Sequence, residues 1–219
     1  MGKPASRPQL PGEFPIFPLP GAVLLPGGKL PLNIFETRYL AMVEDALGSF
    51  RVIGMIQPDP VRPAPPTGPA LYRVGCLGRI TSFSETDDGR FLITLTGLTR
   101  FAVSVELEMR RGYRRVRADL ARFARDLEPD EDRVERAVLL RALRAYFAAR
   151  GFEANWDAIN EMPDPMLVAT LAMACPFEPP EKQALLEAPS TVERAQALLA
   201  LLEMGAHGTD AGEPGRPPS

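Results

Sequence analysis

The chain has 219 residues, 45% of them apolar, enough for one large domain or two small ones with a genuine core. Its net charge of -3 and pI of about 5.4 exclude a protein built as a whole to collect polyanions, and leave only a local basic patch open. Two cysteines, Cys76 and Cys175, stand 99 positions apart with no C-x-x-C, which excludes a disulfide framework and a cysteine-rich zinc site.

The opening stretch MGKPASRPQLPGEF has no apolar h-region, and nowhere do 18 apolar residues run together, so neither a signal peptide nor a membrane span is expected and the protein reads as cytoplasmic. Met1 and Gly2 with Ser6 formally match the myristoylation pattern. The prolines and arginine around them read instead as a disordered leader over 1–12. Next comes LPGGKLPLNIF, where a glycine pair and a lysine precede a helical pattern as in a phosphate-binding loop. That loop would need glycine at Val23 and a hydroxyl at Leu30, so the stretch is a proline-flanked turn and no nucleotide is implied.

A helix follows, with Asn33 as its cap and Glu36 returning the bond in a capping box. Phe35, Tyr39, Met42, Val43 and Ala46 form its apolar stripe up to Gly48. After RVIGMIQ, the run PDPVRPAPPTGPA carries six prolines in 13 residues and must be a stiff, extended surface loop. LYRVGCLGRITSF and RFLITLTG flank Asp87-Asp88-Gly89, a strong hairpin pattern, and Phe101, Val103, Val105 and Leu107 alternate along a further strand. Gly75, Gly78 and Gly97 interrupt these runs, as bulges or close backbone approaches in a curved barrel would require.

From Pro129 the period becomes helical. DRVERAVLLRALRAYFAARG presents Val134, Val138, Ala142, Leu143, Tyr146 and Phe147 on one side and stops at Gly151. Asn155 caps a short turn, Asp164 and Pro165 open the nearly all-apolar MLVATLAMAC, and PEKQALLEA follows. A Ser190/Glu193 capping box opens the last helix, which Gly205 closes. The boundaries expected are a β subdomain over 13–127, a helical subdomain over 128–204 and a disordered tail over 205–219.

Little here could carry a reaction. The one histidine, His207, lies in the tail, so no Ser-His or Cys-His pair forms in the folded part. Cys76 and Cys175 sit among apolar residues as buried structural thiols, and Lys3, Lys29 and Lys182 lack the setting of a desolvated base. Glu128 to Asp132 reads as a solvated helix start. No catalysis, cofactor or metal is expected. One charged feature stands out: seven arginines between Arg110 and Arg125, interleaved with Tyr113 and Phe123, are raw material for a nucleic-acid groove. A solvated strand face balanced by the acidic 126–132 segment is the preferred reading.

FPIFPLPGAVLLPGGKLPLNIFETRY, GMIQPD, GCLGRITSFSETDDGRFLITLTGLTRF and EKQALLEAPSTVERAQALLALL together resemble the substrate-binding N-terminal domain of Lon protease, in the stand-alone form found in bacteria. The resemblance covers about Phe14 to Met204. It implies an α+β fold, a PUA-like curved β-barrel with one inserted helix and a C-terminal helical subdomain. LPGGKLPLNIFETRY would be the first β segment and first helix, with Glu36 and Arg38 at the family's acidic and basic positions. The chain ends before the ATPase and Ser-Lys protease modules of Lon could begin, and the zinc-binding module of the related cereblon proteins has no counterpart in it.

The expected function is non-catalytic recognition of unfolded or apolar polypeptide in protein quality control, serving a protease or chaperone, with no membrane partner. Candidate contacts are Leu32, Phe35, Glu36, Arg38, Tyr39 and Phe83. Phe83, beside the hairpin tip, is the best placed for exposure, whereas Tyr39 and Met42 read as core. The alternative is a PUA-like RNA-binding protein using Arg110, Arg111, Arg114, Arg115 and Arg117.

Overall fold

The computed structural model describes residues 10–207, so the myristoylation match and most of the expected leader and tail lie outside the described residues. The chain divides between Glu128 and Pro129 into two compact units.

The first unit is built on six strands: β1 (Glu13–Pro18), β2 (Lys29–Ile34), β3 (Val52–Ile56), β4 (Val74–Glu85), β5 (Phe91–Arg110) and β6 (Tyr113–Asp119). Helix α1 (Thr37–Leu47) is inserted after β2, and a 3-10 helix, Ala121–Leu127, follows β6. The strand order is β2-β5-β4-β3-β1-β6, and β6 also pairs with β5, so five strands close on themselves while β2 lies outside the ring. Among the described residues only β1 and β3 run parallel. Phe14, Ile16, Val52, Ile56, Leu71, Leu77, Phe101 and Val116 fill the interior. Within it the Phe14 and Phe101 rings meet edge to face at 5.0 Å, a favoured aromatic geometry.

The expected Asp87-Asp88-Gly89 turn joins β4 to β5, with Gly89 at φ 78°. A register shift falls at Gly78, and at Gly97 a Cβ would stand 2.0 Å from the Leu25 carbonyl oxygen, so the backbones touch there. Neither glycine ends a strand. RFLITLTG and RFAVSVEL form one 20-residue strand, β5.

Two local expectations fail near α1. Asn33 does not cap the helix; it lies within β2 opposite Leu92, because the pairing of Lys29–Ile34 with β5 holds the chain extended to Ile34. Glu36 is the N-cap and makes no side-chain capping bond. The LPGGKLPLNIFETRY segment is therefore the second strand and the first helix, since β1 precedes it. Tyr39, Met42, Val43 and Ala46 are buried as the stripe requires, but Phe35 precedes the helix and is exposed.

The second unit holds α2 (Arg136–Arg150), α3 (Trp156–Glu161), α4 (Asp164–Ala174), α5 (Pro179–Glu187) and α6 (Thr191–His207). Gly151 ends α2 in the left-handed conformation at φ 66°. The Asn155 side chain accepts from the Ala158 N–H at 3.0 Å, and Ser190 accepts from the Glu193 N–H while its hydroxyl donates to the Glu193 carboxylate. Helix α4 buries Leu167, Val168, Ala169, Leu171 and Ala172, as an apolar helix must. Gly205 does not stop α6. A Cβ there would come within 2.5 Å of the Tyr146 ring, so the glycine serves close helix packing rather than termination.

Candidate functional site

Strand register assembles the apolar candidates. Leu32 of β2 faces Ile93 of β5, and Ile93 faces Phe83 of β4, so the three share one face in a row across the sheet. Phe83 reaches that face because a bulge between Ile80 and Ser82 shifts the alternation by one residue. With strands about 4.8 Å apart, Leu32 and Phe83 stand roughly 10 Å from each other. Ile93 is buried beneath, and Phe91 supports Phe83 edge to face at 5.0 Å. Phe83 remains 39% exposed, and Phe35, just past the Ile34–Phe91 pair, is 66% exposed. The row thus ends at solvent beside the hairpin tip.

Glu36 and Arg38 form an exposed ion pair at 2.8 Å, and the Arg38 guanidinium lies 4.6 Å above the Tyr39 ring. Tyr39 itself is buried and packs 4.4 Å from Phe17. Burial raises its hydroxyl pKa against the opposing Arg38 charge. Tyr39 therefore supports the rim from the core and is not a surface contact.

The arginine cluster is tied to carboxylates. Arg110 and Arg111 bind Asp45, Arg111 also binds Glu44, Arg114 binds Glu106, and Arg115 and Arg117 face Glu13. These partners come from α1, β1 and β5, whereas the 126–132 segment holds a different arginine: Asp126 takes the Arg100 guanidinium and its backbone N–H. Arg114 is buried and also donates to the Pro69 carbonyl at 2.7 Å. A contiguous field for phosphates is not what these contacts make.

Asp45 anchors a turn that sequence reading missed. Arg111 at φ 48° and Gly112 at φ 84° form the two-residue connection between β5 and β6, both in the region of a type I′ turn. A non-glycine residue there is strained by about 1 kcal/mol or more, offset by the Arg111 bonds to Asp45 and Glu44. Against the opposing effect of burial, hydrogen bonds from Tyr113 and Arg111 hold the Asp45 carboxyl below its ordinary range. Burial and the same Asp45 contact push the Tyr113 hydroxyl up to about 12.

Both cysteines are buried thiols, and burial pushes Cys175 up to about 11, away from nucleophile chemistry. Among the described residues no three His, Cys, Asp or Glu side chains gather as a metal site, and no helix is long and apolar enough to cross a membrane. Sequence reading also did not single out Ile93, which pairs with both Leu32 and Phe83, or Phe91, which supports the Phe83 ring, as parts of the site. Nothing local in the sequence marks the bulge at Thr81 that aligns them.

Residues 13–204 match the family profile described as the ATP-dependent protease La (LON) substrate-binding domain. Lon protease 2 of Myxococcus xanthus is 31% identical over 114 residues, 52% of this chain and 14% of that protein. Lon protease of Azorhizobium caulinodans is 28% identical over 222 residues, covering 93% of this chain and 24% of that protein. The chain thus spans a quarter or less of these relatives. The crystal structure of a Lon N-terminal domain protein from Xanthomonas campestris superposes with a TM-score of 0.58 at 25% identity, covering 86% of this chain and 97% of that one. The N-terminal domain of the Mycobacterium avium complex Lon protease shares the fold, with a TM-score of 0.61 at 18% identity over 87% of this chain and 97% of that one.

Proposed function

This chain belongs to the family of Lon substrate-binding domains, and from that membership we propose that it is a non-catalytic module that binds unfolded or apolar polypeptide segments and presents them to a protease or chaperone. The observation that carries the reading is the row Leu32–Ile93–Phe83, an apolar strip that reaches solvent at Phe83, with the exposed Phe35 one residue past the Ile34–Phe91 pair. Such a strip anchors alternate side chains of an extended client. Glu36 and Arg38 at its margin add polar selection, and Tyr39 holds the rim from below.

Titration of a reduced, unfolded client against Phe83→Ala and Phe35→Ala tests this. Each substitution removes an apolar anchor worth roughly 1 to 3 kcal/mol and should weaken binding accordingly. Unchanged affinity in both variants removes the strip from consideration. The RNA alternative finds no support in the arginines, since Arg110, Arg111, Arg114, Arg115 and Arg117 all face carboxylates. Steeply salt-dependent RNA binding lost on reversing Arg114 and Arg115 would revive it.

A further inference from the structure

Strand β5 has a second exposed feature, distant in register from the apolar row. Along one edge it pairs with β2 and then with β6; along the other it pairs with β4, whose last partner is Ala102. Past that point the Val103 N–H donates to the Arg73 carbonyl at 2.8 Å, and from Ser104 to Arg110 no strand among the described residues covers the β4 side. Main-chain groups of an uncovered strand alternate toward the open edge and can template another strand.

The segment beside this edge cannot supply that strand. It is the proline-rich run after β3, whose six prolines lack N–H donors. It stands off instead, tied down where Arg114 donates to the Pro69 carbonyl and by the Pro58–Leu71 bridge. Between loop and edge lies a groove of about 290 Å³, with Val103, Ser104, Val105 and Glu106 of β5 on one side and Pro63, Pro65 and Tyr72 on the other. Val105 is 45% exposed and offers an apolar contact.

The charges of the groove are unequal. Arg62 and Arg73 both line it with exposed side chains, and neither has a carboxylate partner among the described ion pairs; Arg62 donates only to the Leu71 carbonyl at 3.3 Å. Glu106, the acidic residue on the opposite side, already accepts three hydrogen bonds from Arg114. The groove therefore presents two uncompensated positive charges beside an open strand edge.

We infer that this groove binds an extended acidic peptide by strand addition to Ser104–Arg110, its backbone pairing with the β5 edge and its carboxylates meeting Arg62 and Arg73. The site is separate from the apolar strip and does not depend on that strip binding clients.

The test uses the full chain and an end-capped, fluorescently labelled octapeptide alternating valine and glutamate. Its affinity should fall roughly tenfold or more in the Arg62→Glu, Arg73→Glu double variant, since reversed charge then opposes the peptide. The same peptide N-methylated at every residue should bind equally poorly to the unaltered protein, because neither of its edges can then donate to a ladder. Phe83→Ala should bind the octapeptide unchanged. Hydrogen exchange should show peptide-induced protection of amides within 104–110. Absent binding, equal binding by the double variant or by the N-methylated peptide, loss in Phe83→Ala, or no protection at 104–110 would each overturn the inference. Because both altered arginines are exposed, a folded double variant is expected, and the N-methylated peptide tests the same point without altering the protein.

Discussion

The two halves of β5 behave as different structures in one strand. From Phe91 to Ala102 it is held on both edges over most of its length and alternates buried Phe91, Ile93 and Leu95 with more exposed Leu92, Thr94 and Thr96. From Ser104 to Arg110 its one strand neighbour among the described residues is β6, no residue is buried, and stability comes from charged ties such as Arg114–Glu106. Phe101 sits near the junction, fully buried against Phe14. The difference teaches that strand length says little about support: the doubly paired half gains from apolar burial, and the half with one neighbour relies on ions and remains available to a partner.

Substitutions can break this contrast, beginning with the largest effect. Phe101→Ala empties the centre of the barrel and should cost about 3 to 5 kcal/mol in denaturant titration, taking both halves down together. Asp126→Asn removes the carboxylate charge that holds the Arg100 guanidinium, buried at the same junction. A loss of about 3 kcal/mol is expected, and Asp126→Asn combined with Arg100→Met should recover part of it. An intact Tm in Asp126→Asn would show that the 3-10 helix is not held by this pair.

The distal half should reveal itself by pH. Because the Tyr113 hydroxyl rises to about 12 on folding, its neutral form is the one the fold stabilises. That contribution is complete below the ordinary tyrosine pKa of about 10 and is lost as pH climbs from there through about 12. Tyr113→Phe should therefore show a smaller loss of stability across that window than the unaltered protein. Asp45 works in the opposite direction: its carboxyl is held low in the fold, so its contribution is present above about pH 4 and disappears as pH falls further. Asp45→Asn should flatten the acid limb.

The smallest effect belongs to the proximal half's surface. Phe83→Ala should cost about 1 kcal/mol, the edge-to-face contact with Phe91 plus partial burial. A loss several times larger would mean that Phe83 is a core residue and would remove it as a binding anchor.

Several local features of the structure are legible in the sequence. The Asp87-Asp88-Gly89 hairpin, the Asn155 cap, the Ser190–Glu193 capping pair, the Gly151 stop and the buried α4 all follow from turn chemistry or hydrophobic period within a few residues. The two buried thiols were equally legible, because their apolar neighbours lie next to them in the chain. Within the apolar strip, Leu32, Phe35 and Phe83 could be named from the sequence as candidates, but not as neighbours.

Tertiary structure decided everything that depends on which strand meets which, and in what register. Asn33 had the side chain of a cap, and pairing of β2 with β5 made it a strand residue. A one-residue bulge at Thr81 set the face of Phe83, and such a shift turns every later side chain over. Ring closure rests on β1 meeting β6, where Arg117 binds Glu13 across a separation of 104 residues. That contact neutralises arginines that look free in the sequence. Propensity and period are properties of a short segment, whereas register, edge exposure and charge balance are properties of pairs brought together from far apart, and only the folded chain specifies those pairs.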